Sequence, residues 1–468
     1  MEPSDLTRRD WLTTSTFFGA VSPFSRRSVT DVRVGESAAA DILNIKSRRE
    51  LFVDRFLIDK LDGMDLKLHE PRPAAPLHSS VAGLEYGTVI KDGGLYRLYS
   101  RDARGAKFDG DETEVTRYYE SLDGIHWTRP VLRLVELEGT RNNNVILHQP
   151  FVCHNFSPFS DSRPGVSAER RFKALAGVHK GGGLVAFTSG DGIHWKRLRD
   201  RPVITSDSFA FDSQNVSFWS AAEQRYVCYF RSWSTPHGNL RTISRTTSTN
   251  YLNWSPPTPL HPNFPGEHLY TSQTHPYFRA PHIYIATPTR FHPERGSSTD
   301  IMFMTARTDS PYDRTFREAF VRPGLDPKRW GNRSNYAVLN VVPTDSTEMS
   351  LYVTPFRRLT LRTDGFASLH AGADIGEMVT HGLRFEGKSL VVNYSTSAGG
   401  SVKVELQDAS GRALPGFALA DCPNLVGDAI EQSVIWAGGE DVSSLVGKTV
   451  RMRFVMREAD VFSLKFNW

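Results

Sequence analysis

The chain is poor in cysteine. Its 468 residues include three, Cys153, Cys228 and Cys422, far apart and odd in number. None sits in a C-x-x-C pattern, which excludes a disulfide framework or a zinc knuckle as the organising device. No run approaches the roughly 18 apolar residues that span a bilayer, so no membrane insertion is expected. A basic run is missing too. The 56 basic and 52 acidic residues are mixed along the chain and leave a formal net charge of +4, too diffuse to track phosphates, and nucleic acid is not an expected partner. Long stretches of 3.6-residue apolar period are also absent, which argues against a helical fold.

What is present is enough for a sizeable interior: 39% of the residues are hydrophobic and 11% aromatic, in a chain too long for one core. At least two domains are expected. Near the start, Thr7-Arg8-Arg9-Asp10-Trp11-Leu12 followed by Phe17-Phe18-Gly19-Ala20-Val21 reads as a twin-arginine export signal. Residues 1–40 are therefore set apart from the fold as a signal or tail, and the mature chain is expected to be periplasmic or secreted.

One sentence of sequence repeats. Ser121-Leu122-Asp123-Gly124-Ile125-His126-Trp127 recurs 68 residues later as Ser189-Gly190-Asp191-Gly192-Ile193-His194-Trp195, and again, weakened, as Ser248-Thr249-Asn250-Tyr251-Leu252-Asn253-Trp254. Thr305-Ala306-Arg307-Thr308-Asp309 and Leu361-Arg362-Thr363-Asp364-Gly365 are fainter echoes. Each copy follows a strand-like run. Asp-Gly supplies a tight turn, because glycine accepts positive φ and aspartate bonds the backbone amides after it, and the Trp returns as an apolar anchor. Asp123 and Asp191 are thereby accounted for structurally. Five such units predict an all-β chain: a five-bladed β-propeller over about residues 45–372, then a small β-sandwich over 373–468, where Leu390–Tyr394, Val402–Leu406 and Val450–Val455 alternate with period two.

The turns and the layout resemble the five-bladed propeller glycoside hydrolases, the broad group holding families 32, 43, 68 and 130, and are similar in layout to family 32 with its C-terminal sandwich. The resemblance covers nearly everything from about residue 50 and implies cleavage of glycosidic bonds in a carbohydrate. The family 32 signature Trp-Met-Asn-Asp-Pro-Asn-Gly is not present, and Leu51-Phe52-Val53-Asp54-Arg55 is only a loose echo of it. Two other readings stay open: a non-catalytic carbohydrate-binding propeller, and a phosphorylase like those of family 130, which needs Arg and His for phosphate beside a single acid.

Glycoside cleavage needs one carboxyl to protonate the leaving oxygen and a second as nucleophile or base, so two acids must face one funnel. Glu85 in Glu85-Tyr86-Gly87-Thr88-Val89 and Asp212 in Asp212-Ser213-Gln214-Asn215-Val216 share a local frame, each four residues before a Val in a first strand, with Arg101 or Arg231 at the end of the second. Glu348 at the head of an apolar strand is a third candidate and Asp54 a fourth. Gln273, His275 and Arg290, with His154 and Asn155, are candidate substrate-binding residues. Trp219 and Trp233 read either as sugar platforms or as blade packing. No motif calls for a cofactor or a metal.

Overall fold

The computed structural model describes residues 42–75, 81 and 84–468. The export-type segment at 1–40 lies outside them. Strands dominate, accompanied by four single-turn 3-10 helices. No helix among the described residues is long and apolar enough to cross a membrane.

Among the described residues there are six small antiparallel sheets: one of His268–Leu269, Thr289–His292 and Ser298–Ile301, and five blades that follow one another along the chain. Blade I consists of Glu85–Asp92, Leu95–Asp102, Val115–Ser121 and Val145–Leu147, and blade II of Ser157–Ser160, Phe172–Ala176, Val185–Ser189 and Lys196–Arg197. Blade III is Val216–Ser220, Arg225–Thr235, Gly238–Ser248 and Thr258–Pro259; blade IV is His275–Tyr277, Ala280–Ala286 and Met304–Arg307. Blade V is Val342–Pro343, Glu348–Val353 and Arg357–Arg362, completed by Arg72–Pro73 from the N-terminal side, with Leu359 opposite Pro73. The first strands neighbour one another, I with II, II with III, III with IV, and V again with I. At that seam Leu339 N–H donates to Gly87 O at 2.9 Å and Val89 N–H to Leu339 O at 3.1 Å. The ring is a propeller, closed by hydrogen bonds and by one borrowed outer strand, which removes exposed edges.

The repeated turns are blade hairpins and sit between third and fourth strands. Gly124 N–H donates to Ser121 Oγ and Gly192 N–H to Ser189 Oγ, both at 2.9 Å. Asp123 and Asp191 each accept the two amides that follow, and Trp127 and Trp195 donate Nε1–H to the turn glycine's carbonyl. The preceding blade grips each turn: Tyr352 OH donates to Gly124 O at 2.6 Å and Tyr99 OH to Gly192 O at 2.8 Å. A Cβ at Gly192, where φ is +77°, would lie 2.6 Å from the Tyr99 hydroxyl, so only glycine fits. The third copy has Tyr251 there, at φ +67°. Phe172–Ala176 of blade II brings no tyrosine, and the Tyr251 ring packs instead against Phe159 and Tyr226.

The sandwich is an eight-stranded antiparallel assembly built on Ser389–Gln407 and Arg451–Asn467, which pair along most of their length and bend at bulges by Asn393 and Thr396. Its core holds Phe52, Trp436, Phe454 and Phe466. The domain boundary differs from the expected 372/373 division. Ile58–Asp62 pairs with Gly376–Thr380, and Met64–Leu68 with Ala367–Ala371, so N-terminal strands complete the C-terminal sheet before the chain enters the ring. Gly63, at φ +62°, turns one strand into the next, and Gly376 packs so close that a Cβ there would meet Gly63 O at 2.5 Å.

Asp364, fully buried in the fifth turn, joins the two parts. It accepts from Tyr277 OH (2.7 Å) and Arg279 (2.8 Å) of blade IV, from Ser463 Oγ (2.6 Å) and Asn393 Nδ2 (3.1 Å) of the sandwich, and from Arg49 (3.3 Å). Removing its charge leaves buried Arg49 and half-buried Arg279 with only the more exposed Glu431 as counter-ion, and strips three further buried donors of their acceptor, so Asp364→Ala is expected to cost about 3–5 kcal/mol in chemical denaturation. A loss below 1 kcal/mol would show the joint to be unimportant.

Down the axis, buried amides tie the first strands together. Gln273 Nε2 donates to Gln214 Oε1 (2.7 Å) and Ala337 O (2.6 Å), while Gln214 Nε2 donates to Thr88 Oγ1 (2.9 Å) and Gly87 O (3.1 Å). Asn155 of blade II donates to Phe211 O (2.7 Å) and Ser213 O (2.8 Å). His275 completes the network: its Nδ1–H donates to Gln273 O at 2.8 Å and its Nε2 accepts Val341 N–H at 3.1 Å. Burial pulls the His275 pKa down from 6.5 to about 4. The unfolded chain therefore takes up this proton first, and the native state loses up to about 3 kcal/mol as pH falls from 6.5 to 4. Stability measured against pH for the native chain and for His275→Asn tests this: the variant is expected to show a shallower acid-side decline, and parallel curves would contradict the assignment.

Candidate functional site

The leading ends of all five first strands meet at one mouth of the ring. The chain there is locally strained: Tyr86, Phe211 and Gln273 have φ of +44°, +72° and +49°. Bulky side chains rarely adopt such values, and they persist where surrounding structure holds them. The amides just described provide the hold, since they grip Gly87, Phe211, Ser213 and Gln273 within two residues of each strained position.

The wall is aromatic. Tyr86 of blade I faces His154 of blade II, ring centroids 5.4 Å apart, and Tyr336 before blade V at 5.9 Å; Tyr336 faces Tyr270 before blade IV at 5.5 Å. The hydroxyls of Tyr86 and Tyr336 are buried with no protein partner. Burial pushes both phenols well above their ordinary range, so they are protonated donors at neutral pH.

Glu85 and Asp212 both come to this mouth, each against an arginine. Arg101 lies opposite Glu85 in the strand register and donates Nη1–H to Glu85 Oε2 at 2.6 Å, and Arg333 approaches the same oxygen at 3.5 Å. The other fork of Arg101 donates to Glu114 Oε1 at 2.6 Å, which His154 Nδ1 also meets at 3.1 Å. Burial works to raise the pKa of Glu114, but His154 and Arg101 outweigh it and hold this carboxyl below its usual range. Glu114 is therefore a fixed negative charge that orients Arg101, which in turn orients Glu85. His154 donates Nδ1–H to Glu114, and its buried Nε2 stands 3.7 Å from Asp109.

In blade III Arg231 is in direct contact with Asp212. Arg231 is 2% exposed, and burial, with Arg241 alongside, brings its pKa down to about 10. Its guanidinium lies over Trp233 at 5.1 Å and Tyr270 at 5.5 Å. A recess of about 520 Å³ opens beside it, lined by Ser208, Phe209, Trp233, Ser234 and Asn239.

Other expected site residues are elsewhere. Glu348 begins the second strand of blade V, at the end of the blade away from Tyr336, and pairs with Arg358. It borders a groove against the sandwich with Lys67, His69 and Arg72. Asp54 lies in the N-terminal segment, where it holds Arg307 of blade IV at 2.7 Å and caps Phe56 N–H at 3.0 Å. Both acids are satisfied ion-pair partners away from the mouth. Gln273, His275 and Asn155 belong to the axial network, with their polar groups largely committed to backbone. Arg290 is held by both oxygens of Asp300, at 2.9 and 2.6 Å. Trp219 packs on Tyr226 in blade III. Among the described residues no group of three or more His, Cys, Asp or Glu is arranged to hold a metal. The three cysteines are free and buried.

The residues that sequence reading did not single out are Tyr86, Tyr270, Tyr336, Glu114, Arg241 and Arg333. Tyr86 had a signal, standing beside Glu85 in the shared frame. Arg241 had none, since its register partner Trp233 appears only in the folded sheet.

No family model matches the chain. Two curated proteins of Mycobacterium tuberculosis, uncharacterized proteins Rv1502 and MT1551, are 25% identical to it over 150 residues, which is 31% of this chain and 46% of either relative. The chain thus matches less than half the length of these relatives. Among solved structures it is similar to a family 43 arabinoxylan arabinofuranohydrolase from Bacillus subtilis, at 14% identity and a TM-score of 0.42, covering 82% of this chain and 96% of that one. It is also similar to an endo-arabinase from Bacteroides thetaiotaomicron (11% identity, TM-score 0.40, covering 63% of this chain and 97% of that one). A further similar structure is a β-1,2-mannobiose phosphorylase from Listeria innocua (12% identity, TM-score 0.41, covering 64% of this chain and 97% of that one).

Proposed function

We propose that the mouth cleaves glycosidic bonds, with Glu85 and Asp212 as its two working carboxyls. The observation that carries this reading is that acids from blades I and III, distant in sequence, reach one aromatic-walled mouth in the same frame, each set by an arginine from its own second strand. Glycoside hydrolysis asks for such a pair across the sugar ring. Glu85, facing Arg101 and Arg333, is assigned the role that stays negative, nucleophile or base. Asp212, in contact with Arg231, is assigned as the second carboxyl of the pair, across the sugar ring from Glu85. The hydroxyls of Tyr86 and Tyr336 are donors for sugar oxygens, and Phe209 and Trp233 offer apolar faces for a sugar ring.

Phosphorolysis is a second reading, favoured by the gathering of Arg101, Arg231, Arg241 and Arg333 with His154 at one mouth. It differs in requiring inorganic phosphate and in releasing a sugar 1-phosphate.

Incubation with plant and algal oligosaccharides, with products resolved by chromatography, tests the proposal. Asp212→Asn and Glu85→Gln are each expected to lower kcat/KM by roughly 10²–10⁴ while the fold is kept. Glu348→Gln is expected to retain activity. Full activity in Asp212→Asn would move the site elsewhere, and no cleavage of any substrate by the native chain would leave a carbohydrate-binding propeller.

A further inference from the structure

Among the described residues Arg241 is a guanidinium without a counter-ion. It sits on the third strand of blade III, directly opposite Trp233, and its charge lies 4.5 Å from the Trp233 ring, 5.0 Å from Tyr270 and 4.9 Å from Phe291. Arg231 also lies near Trp233, at 5.1 Å, and Phe209, at 5.7 Å. The result is a cluster of Phe209, Arg231, Trp233, Arg241 and Phe291. It contains two cations, and Asp212 answers only the first.

Among the described residues no carboxylate lies within ion-pair distance of Arg241, and its Nε is buried without a partner. Its nearest polar neighbour is His268, whose Nδ1 accepts the Arg241 backbone N–H at 3.1 Å and stands 3.5 Å from Nη1. A neutral imidazole acceptor does not balance a charge. Burial lowers the Arg241 pKa, and only tyrosines oppose that shift. Elsewhere around the mouth the arginines are spoken for: Arg101 by Glu85 and Glu114, and Arg333 by Glu85.

A half-buried guanidinium held planar between rings, with free N–H groups, matches the geometry of a carboxylate or sulfate, which accepts two parallel hydrogen bonds. The fully buried hydroxyls of Tyr86 and Tyr336, 4% and 3% exposed and unpartnered, converge on the same mouth and add neutral donors for sugar oxygens. The recess beside Trp233, with Ser208, Ser234 and Asn239 around Phe209, has room for one sugar unit and both apolar and polar lining.

We propose that the glycan bound at this mouth carries an anionic substituent, a carboxylate or a sulfate, and that Arg241 is the residue that selects it. This rests on the glycan-cleaving reading given above.

Binding by calorimetry and cleavage by chromatography are measured side by side on an oligouronate, its carboxyl-reduced neutral counterpart and a sulfated galactan oligosaccharide. The native chain is expected to prefer an acidic ligand over the neutral one by at least about tenfold, the effect of a hydrogen bond to a charged group. Arg241→Gln is expected to abolish the preference, and Arg241→Lys to keep part of it. The uronate and sulfate arms show which substituent is taken. Equal binding of acidic and neutral ligands by the native chain overturns the proposal, as does a preference that survives in Arg241→Gln. Cleavage only in the presence of inorganic phosphate, with sugar 1-phosphate released, also overturns it, because the anion is then a co-substrate. Selective binding without cleavage supports the role of Arg241 and removes the hydrolase reading; cleavage without charge preference does the reverse. Should Arg241→Gln fail to fold, the native comparison and Arg241→Lys decide.

Discussion

The buried amides on the axis are the interaction on which the rest depends. Gln214 and Gln273 link blades I, III, IV and V through side chain and backbone, and Asn155 links blade II to the loop before blade III. A propeller's inner strands have no partner on the axial side, so their backbone groups would otherwise face an empty centre. Carboxamides suit the place because each offers two donors and an acceptor without a charge to desolvate. Their bonds end on Gly87, Phe211 and Ser213, immediately beside Glu85 and Asp212. The same bonds that close the ring therefore hold the two acids and sustain the left-handed backbone at Tyr86 and Phe211.

Around that frame the charges are arranged in pairs of increasing depth. Glu114 is fully buried and fixes Arg101; Arg101 is nearly buried and fixes Glu85; Glu85 is about a third exposed, with a side-chain exposure of 35%. Asp212, 12% exposed, lies over Arg231 in the same way. Each layer is less enclosed than the one beneath, so the group nearest solvent is positioned by groups that cannot move. This is the preorganisation that a site needs if charge is to develop there at little reorganisation cost. Asp364 does the equivalent for the scaffold, where one buried carboxylate receives donors from blade IV, the sandwich and the N-terminal segment.

Much of this was legible in the chain. The Ser-x-Asp-Gly turns announced the blades because their chemistry is local: the serine, aspartate, glycine and tryptophan of one copy satisfy one another. The common position of Glu85 and Asp212 was legible because both precede the same strand pattern. The partners of Glu348 and Asp54 were not legible, because a carboxylate reads alike in sequence whether it faces a funnel or an arginine, and only register and packing reveal Arg358 and Arg307. The role of residues 58–68 was hidden for a similar reason. Their alternation marks strands, but pairing with 367–380 spans some three hundred residues and leaves no local trace. Tyr270 and Tyr336 lie in loops with no repeat signal.

If Glu85 and Asp212 act on one substrate as a unit, their losses must not add. The decisive measurement is kcat/KM for Glu85→Gln, Asp212→Asn and the double variant on the oligosaccharide that the native chain cleaves best, with folding checked by thermal melting. The account predicts that the double variant is no worse than the poorer single variant within about a factor of ten, as for other residues that work together. Losses that multiply, or a double variant that stays active, would show that the two carboxyls do not form one site.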